Sequence, residues 1–272
     1  MSLSVHVCGS AGTHPGPGRA CSGYLVTAPA SGGDDAQAPA RGDATPGGAG
    51  PTRLLLDCGN GSLANVQRAC ELTELDAVLL SHLHPDHCVD LFGLYYALRF
   101  HPAGPQSMPV YAPAGAEALL RLMLSAEAAM HLPEVCRFHT VAAGDTFAVG
   151  GLRVELRAAN HPVETVAARI EGGGQTIAYS GDTHVTQEVV AAARDADLFI
   201  CDATWLDREG PYPAGIHCTG AEAGRMAADA GAGRLLVTHV VPTTNSAEVA
   251  AEAAGFFGGE IAIAEDGLEI VL

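Results

Sequence analysis

Ser81-His82-Leu83-His84-Pro85-Asp86-His87 lies where an apolar run, Ala77 to Ser81, gives way to a helical pattern from about Asp86 to Phe100. A strand therefore ends, and a helix begins, inside a cluster of three histidines and an aspartate. Pro85 suits the first turn of a helix and drives His84 into extended geometry. His82 and His84, two residues apart on an extended segment, then face the same side and can share one ion. Asp86 and His87, adjacent in the first helical turn, are expected to diverge, which suits a second ion a few ångströms from the first. Imidazole and carboxylate are the donors of catalytic zinc, manganese or iron rather than calcium. The competing reading is a polar strand-end loop whose histidines only cap the helix.

Six residues cannot complete two metal sites, so further ligands must come from elsewhere. Three candidates stand at strand ends: His161 in Asn160-His161-Pro162, Asp182 in Ser180-Gly181-Asp182-Thr183, and His239 after the run Leu235 to Thr238. A lone strand-end histidine is more often a surface residue than a ligand. The order and context of all three together carry the argument.

Outward from the motif, helix and strand alternate. Before it come strands at Leu3 to Cys8, Tyr24 to Thr27 and Arg53 to Asp57, then a helix near Ser62 to Cys70. After it come a strand at Pro109 to Tyr111, a helix from Gly115 to about Met130, and strands at Phe138 to Val141, Arg153 to Ala159, Thr165 to Glu171 and Thr176 to Ser180. The remainder alternates again: helix Val185 to Asp195, strand Leu198 to Cys201, helix Thr219 to Ala230, strand Arg234 to Thr238, helix Ala247 to Phe256, then terminal strands. With no linker between the halves, one α/β domain over 1–272 with two sheets covered by helices is expected. Ala28 to Thr52, rich in Gly, Ala, Pro and Asp, reads as a disordered hairpin insertion at about 28–52.

Composition narrows the partners. The chain has 272 residues, 48% hydrophobic, enough for a sizeable core, and a formal charge of −17. Its 14 basic residues are all arginines, scattered along the chain. Without a basic patch, a large nucleic acid is disfavoured as substrate. A small anionic substrate is compatible, because bound metal reverses the local field; a homodimer is also compatible. The eight cysteines form no CxxC pair and are expected to be reduced. No signal peptide and no apolar stretch of about 20 residues is present, so no membrane association and a cytoplasmic location are expected.

Taken together, His82-x-His84-x-Asp86-His87, the His-Pro at 161, Gly181-Asp182-Thr183, Cys201-Asp202-Ala203-Thr204, His217-Cys218-Thr219 and Thr238-His239 resemble the metallo-β-lactamase-fold hydrolases, most closely the ribonuclease Z-like branch. The similarity runs over nearly the whole chain. It implies a four-layer αββα sandwich of two mixed β-sheets flanked by helices, with two divalent metal ions, zinc foremost and manganese or iron as alternatives. By motif match His82, His84 and His161 would hold one ion, Asp86, His87 and His239 the other, and Asp182 would bridge them. The departures matter too. Relatives that act on β-lactams carry arginine at the position of His87 and cysteine at that of Asp182. Ribonuclease Z proper has a Gly- and Lys/Arg-bearing arm for transfer RNA, and nothing comparable stands in this sequence.

The expected activity is hydrolysis of a small phosphodiester, a cyclic nucleotide foremost, by a metal-bridging hydroxide. Asp86 would additionally orient or deprotonate the water. The resemblance makes His217 the proton donor to the leaving oxygen and Asp202 its orienting partner; the plain alternatives are a helix-entry histidine and a structural carboxylate. Other readings are a thioester, lactone or sulfate-ester hydrolase, a tRNA 3′-processing endonuclease, and a non-catalytic metal-binding scaffold. Gly9 to Thr13 could present backbone amides to an anion. His6, His14, His101, His131, His139 and His184 read as structural or exposed, and Cys88 and Cys201 as small buried hydrophobes.

Overall fold

The computed structural model describes residues 2–30 and 50–272. Its first sheet contains β1 (Ser4–Gly9), β2 (Gly23–Ala28), β3 (Thr52–Leu56), β4 (Ala77–Leu79), β5 (Met108–Ala112) and β6 (Cys136–Thr140). Its second contains β7 (Thr146–Val149), β8 (Leu152–Ala158), β9 (Val166–Gly172), β10 (Gln175–Tyr179), β11 (Leu198–Asp202), β12 (Arg234–Thr238) and β13 (Glu260–Ile263). The last strand, β14 (Glu269–Val271), returns to pair with β1, giving the orders β14-β1-β2-β3-β4-β5-β6 and β13-β12-β11-β10-β9-β8-β7. Each sheet is antiparallel at one end and parallel at the other: β3 to β6 are parallel, as are β10 to β13.

Why the strands read as unbroken apolar runs follows from burial on both faces. In β3, Leu54 and Leu56 join a core that also holds Leu156, Ile170 and Ile200 of the other sheet, while Leu55 packs with Val66, Leu94 and Val135 of the helical layer. In β12, Leu236 faces the inter-sheet core, and Leu235 and Val237 face a third cluster with Met226 and Val249. One helical layer comprises α1 (Ser62–Ala69), α2 (Pro85–Cys88), α3 (Leu91–Arg99), α4 (Ala116–Met123), α5 (Ala126–Met130) and α6 (Leu132–Val135); the other comprises α7 (Gln187–Ala192), α8 (Gly220–Ala230) and α9 (Ser246–Ala254). The result is the four-layer αββα sandwich expected from the resemblance. No helix among the described residues is long and apolar enough to cross a membrane.

Three local expectations change. The helix expected from Asp86 to Phe100 is broken between Cys88 and Leu91, because the Asp90 amide donates to the Cys58 carbonyl at 2.9 Å instead of to the turn before it. That break ties the metal-motif turn to the loop after β3. The helix expected from Gly115 to Met130 is divided at Leu124, which is extended, and Ser125 starts a new helix by accepting the Ala128 amide. The short strand β7 was not expected; it forms a hairpin with β8 across Gly150 and Gly151.

The insertion expected at about 28–52 falls mostly on residues 31–49, outside the described residues. Its flanks are firmly placed: Ala28 pairs with Thr52, and the Thr52 hydroxyl accepts the Gly151 amide at 2.9 Å. Since the strand ends are already adjacent, replacing 31–49 by a four-residue Gly/Asn turn is expected to keep the protein soluble and its stability within about 1 kcal/mol. A thermal melt checks this, and loss of soluble protein would show that the segment contributes to folding.

Candidate metal centre

Six strands that end toward one edge of the sandwich deliver a residue there. β3 leads into Asp57, β4 into Ser81 and His82, β8 into His161, β10 into Asp182, β11 ends at Asp202, and β12 leads into His239. The loop after β1 closes over them. This is the carboxyl end of the parallel strands, where open α/β sheets place their ligands.

Two groups of donor atoms that include the motif residues gather at that edge, His82, His84, His161 and Asp182 in one, and Asp86, His87, Asp182 and His239 in the second; Asp182, Asp202, His217 and His239 form a third, and the atoms of each group lie within 4.8 Å of one another. In the first, His82 Nε2 lies 3.0 Å from His84 Nδ1, and His161 Nε2 lies 3.3 Å from it. In the second, His87 Nε2 and His239 Nε2 are 3.2 Å apart. Asp182 belongs to all three. His82, His87, Asp182, His239 and the His161 side chain are buried, and His84 and Asp86 are partly exposed.

His84 is extended at φ −67°, ψ 147°, with Pro85 at the first helical position, as the motif predicts. Asp86 and His87, however, do not diverge. Asp86 Oδ2 and His87 Nε2 are 3.6 Å apart, since Asp86 is drawn inward by the Thr13 amide, which donates to Oδ2 at 2.9 Å. The same contact corrects the reading of Gly9 to Thr13 as an anion-binding loop. The amides of Ser10 and Ala11 go to the Ala20 carbonyl and that of Gly12 to the Val240 carbonyl, so the loop positions a carboxylate instead. Gly12 is required by contact: a Cβ there would collide with the His239 carbonyl oxygen.

The outer hydrogen bonds fix which ring nitrogen faces inward. The Ser81 hydroxyl donates its one proton to Asp57 Oδ2 at 2.8 Å, so its contact with His82 Nδ1 at 3.0 Å requires the ring to donate. The Thr204 hydroxyl donates to Asp202 Oδ1 at 2.6 Å and accepts from His239 Nδ1 at 2.9 Å by the same logic. His87 Nδ1 donates to Asp57 Oδ2 at 2.7 Å and His161 Nδ1 to the Ile216 carbonyl at 2.8 Å. Each of these four rings thus commits Nδ1 to an outer partner and turns Nε2 to the centre, the arrangement that metal-ligating histidines adopt. Asp57 and Thr204 orient these rings, a role that the sequence reading did not give them. Asp57 also accepts from Tyr179 at 2.6 Å and from the Ser81 amide at 2.6 Å; its only signal was its place directly after a strand.

Charge at the centre follows. Burial pulls His82 well below its ordinary range, with His87 acting in the same direction, and burial also lowers His161. Burial would lower His87 too, but the Asp182 and Asp57 carboxylates outweigh it and hold this group well above. Burial raises Asp182, yet His239, His87 and His82 hold it well below the usual carboxylate range. The carboxylates therefore favour positive charge at this spot. Asp182 Oδ1 is buried without a hydrogen bond; His87 Nε2 and His239 Nε2 approach to 3.0 and 3.2 Å, but not in donor geometry. A buried carboxylate oxygen among imidazole Nε2 atoms is what a divalent cation would satisfy, and the nitrogen and oxygen donors suit zinc-class ions.

His217 and Asp202 stand beside the two histidine-rich groups, in the third. His217 Nδ1 donates to Asp202 Oδ2 at 2.8 Å, and Asp202 also accepts the Thr183 amide at 3.0 Å and the Thr204 amide at 3.1 Å. Burial lowers His217, but Asp202 outweighs it and pushes the imidazolium up to about 9. The eight cysteines are buried and free; burial raises Cys88 to about 12 and Cys201 well above its ordinary value, so neither is a nucleophile at neutral pH.

A model of the beta-lactamase superfamily domain matches residues 52–240. An uncharacterized protein of Mycobacterium tuberculosis is 34% identical over 265 residues, covering 96% of this chain and 89% of that protein. The probable metallo-hydrolase YhfI of Bacillus subtilis is 31% identical over 268 residues, covering 97% and 98%; its crystal structure matches with a TM-score of 0.80 at 28% identity over 99% of both chains. A Haloarcula marismortui ribonuclease Z is 27% identical over 270 residues, covering 79% of this chain and 86% of that protein.

Asp57 anchors His87 without reaching the donor cluster itself. Asp57→Asn is expected to weaken zinc binding by about 10–100-fold while the chain still folds. Competition with a chromophoric chelator measures this, and unchanged affinity would show that the His87 orientation does not depend on Asp57.

Proposed function

The chain belongs to the β-lactamase superfamily and is a metal-dependent hydrolase, and from that premise we propose that it cleaves a small phosphodiester, a cyclic nucleotide foremost, using two zinc-class ions. The observation that carries this reading is the pair of histidine-rich donor groups sharing buried Asp182, set beside a hydrogen-bonded His217–Asp202 pair that lies outside the motif turn and meets Asp182 and His239 in a third group. His82, His84, His161 and Asp182 would hold one ion, and Asp86, His87, His239 and Asp182 the other. Bound there, divalent ions supply acidification of water and neutralisation of charge on a phosphoryl oxygen.

The chain's own residues divide the remaining work. Asp86 is committed through Oδ2 to the Thr13 amide and faces His239 Nε2 at 3.3 Å, so Oδ1 is the atom placed to orient the attacking water. His217 is fixed by Asp202 through Nδ1, so Nε2 is the atom that gives a proton to the departing oxygen. Among the protein's own groups, the Asp202 carboxylate favours the imidazolium, the form that can donate this proton. Thr183 and Thr204 lock Asp202 in turn, which keeps the proton donor in one orientation. The ribonuclease Z relative acts, by its name, on RNA, a phosphodiester polymer. The net charge of −17 and the scattered arginines favour a small diester for this chain.

Purified protein reconstituted with zinc or manganese is expected to carry close to two ions per chain by elemental analysis, because seven donors exceed what one tetrahedral ion needs. A value near zero would remove the basis for this reading. A turnover screen of that protein against cyclic nucleotides, other phosphodiesters, lactones and thioesters decides the substrate class.

His217→Ala is expected to leave the metal content intact while lowering the rate on diesters with poor leaving groups by about 10²–10⁴-fold. A nitrophenyl diester, whose leaving group departs without a proton, should lose far less. Equal losses on both would make His217 a positioning residue, and lost metal would place it among the ligands.

A further inference from the structure

Beyond the donor groups, His217 forms part of the lining of a cavity of about 290 Å³. One wall is aromatic: the rings of Trp205 and Tyr212 stack with centroids 4.3 Å apart and planes 10° from parallel, and Trp205 meets His217 edge-on at 5.2 Å. The Trp205 backbone is held against the start of α8, its amide donating to the Cys218 carbonyl at 3.3 Å and its carbonyl accepting the Gly220 amide at 2.9 Å. The aromatic wall is therefore fixed to the same segment that carries His217.

The polar lining has the opposite character to a phosphate site. Glu222 and Asp207 contribute carboxylates, and among the described residues no arginine lines the cavity. Glu222 uses Oε2 to accept the Thr219 amide at 2.9 Å, which caps α8, and leaves Oε1 at 3.5 Å from His184 Nε2. A second phosphate would be repelled here. A planar group that offers N–H donors is favoured by both the aromatic wall and the carboxylate. A substrate whose leaving oxygen meets His217 has to place its remaining bulk on this side, and the volume is near the lower end of the roughly 300–1,000 Å³ typical of small-molecule sites.

We propose that this cavity receives the base of a nucleotide substrate, lying against Trp205 and Tyr212 with an exocyclic amino group donated to Glu222, so that adenine is taken in preference to uracil. The proposal rests on the phosphodiesterase reading for its place in the reaction, and its binding test is independent of turnover. Trp205 is the chain's single tryptophan, so its fluorescence reports on the cavity directly.

The zinc-loaded protein is titrated with adenosine and with uridine, neither of which carries phosphate, and kcat/KM is measured for cyclic AMP and for methyl p-nitrophenyl phosphate. Adenosine is expected to change Trp205 fluorescence saturably, with uridine about tenfold weaker. Tyr212→Ala should weaken adenosine about tenfold, and should cut kcat/KM for cyclic AMP about tenfold more than that for methyl p-nitrophenyl phosphate. Glu222→Gln, which preserves the helix cap, should narrow the preference for adenosine over uridine. Fluorescence that does not respond to adenosine, or equal losses on the two diesters in Tyr212→Ala, would overturn the subsite. Tighter binding of glycerophosphocholine than of adenosine would overturn it in favour of a cation site. Adenosine binding without turnover of any phosphodiester would leave the subsite standing and remove the phosphodiesterase reading; turnover of cyclic AMP without an adenosine response would do the reverse.

Discussion

Burying a carboxylate is costly unless charge or donors surround it, and four carboxylates meet at one edge of this sandwich. Asp57 and Asp202 solve the problem with hydrogen bonds: Asp57 takes donors from Ser81, His87 and Tyr179, and Asp202 from Thr183, Thr204 and His217. Asp182 does not, for its Oδ1 is buried without a hydrogen-bond partner among ring nitrogens that face the same region. Metal binding and the arrangement of the sandwich edge are thus one constraint. The outer carboxylates orient the imidazoles, and the oriented imidazoles require a cation to share with Asp182.

The backbone accepts strain to meet that constraint. Asp57 and His239 both sit in the left-handed region, at φ 56° and 59°, although neither is glycine. Such residues cost about 1 kcal/mol or more each and persist where their surroundings over-determine them. At Asp57 three side chains and a backbone amide hold the carboxylate; at His239 the Thr204 hydroxyl fixes the ring and Gly12 lets the first loop close on its carbonyl. The turn after a strand is where a chain can leave the sheet abruptly, which is why the strained residues are found there.

Legibility from sequence followed distance along the chain. The His82 to His87 motif could be read because a proline and a strand-to-helix change are local facts, and His84 has the extended backbone that Pro85 dictates. His161, Asp182 and His239 could be nominated only by their places after strands. Asp57 escaped notice because its meaning lies in partners 24, 30 and 122 residues away. The first loop was misread for the same reason: its glycines suggested free amides, while the acceptors are at Ala20, Asp86 and Val240. The helical break at Asp90 likewise depends on the carbonyl of Cys58, which no periodicity reveals.

The two sheets contribute unequally to the chemistry, and the inequality has a structural origin. The first sheet supplies the motif turn and its anchor Asp57 from the neighbouring strand ends of β3 and β4. The second supplies His161, Asp182, Asp202 and His239 from four strands, together with His217 before α8. Asp182 can face both histidine-rich donor groups because the inter-sheet core, with Leu56 and Leu79 on one side and Ile177 and Ile200 on the other, keeps the two edges in register. Tyr179 makes the link explicit, reaching from β10 across the interface to donate to Asp57 of the opposite sheet. The same core that stabilises the fold therefore sets the separation at which one carboxylate serves two groups of histidines.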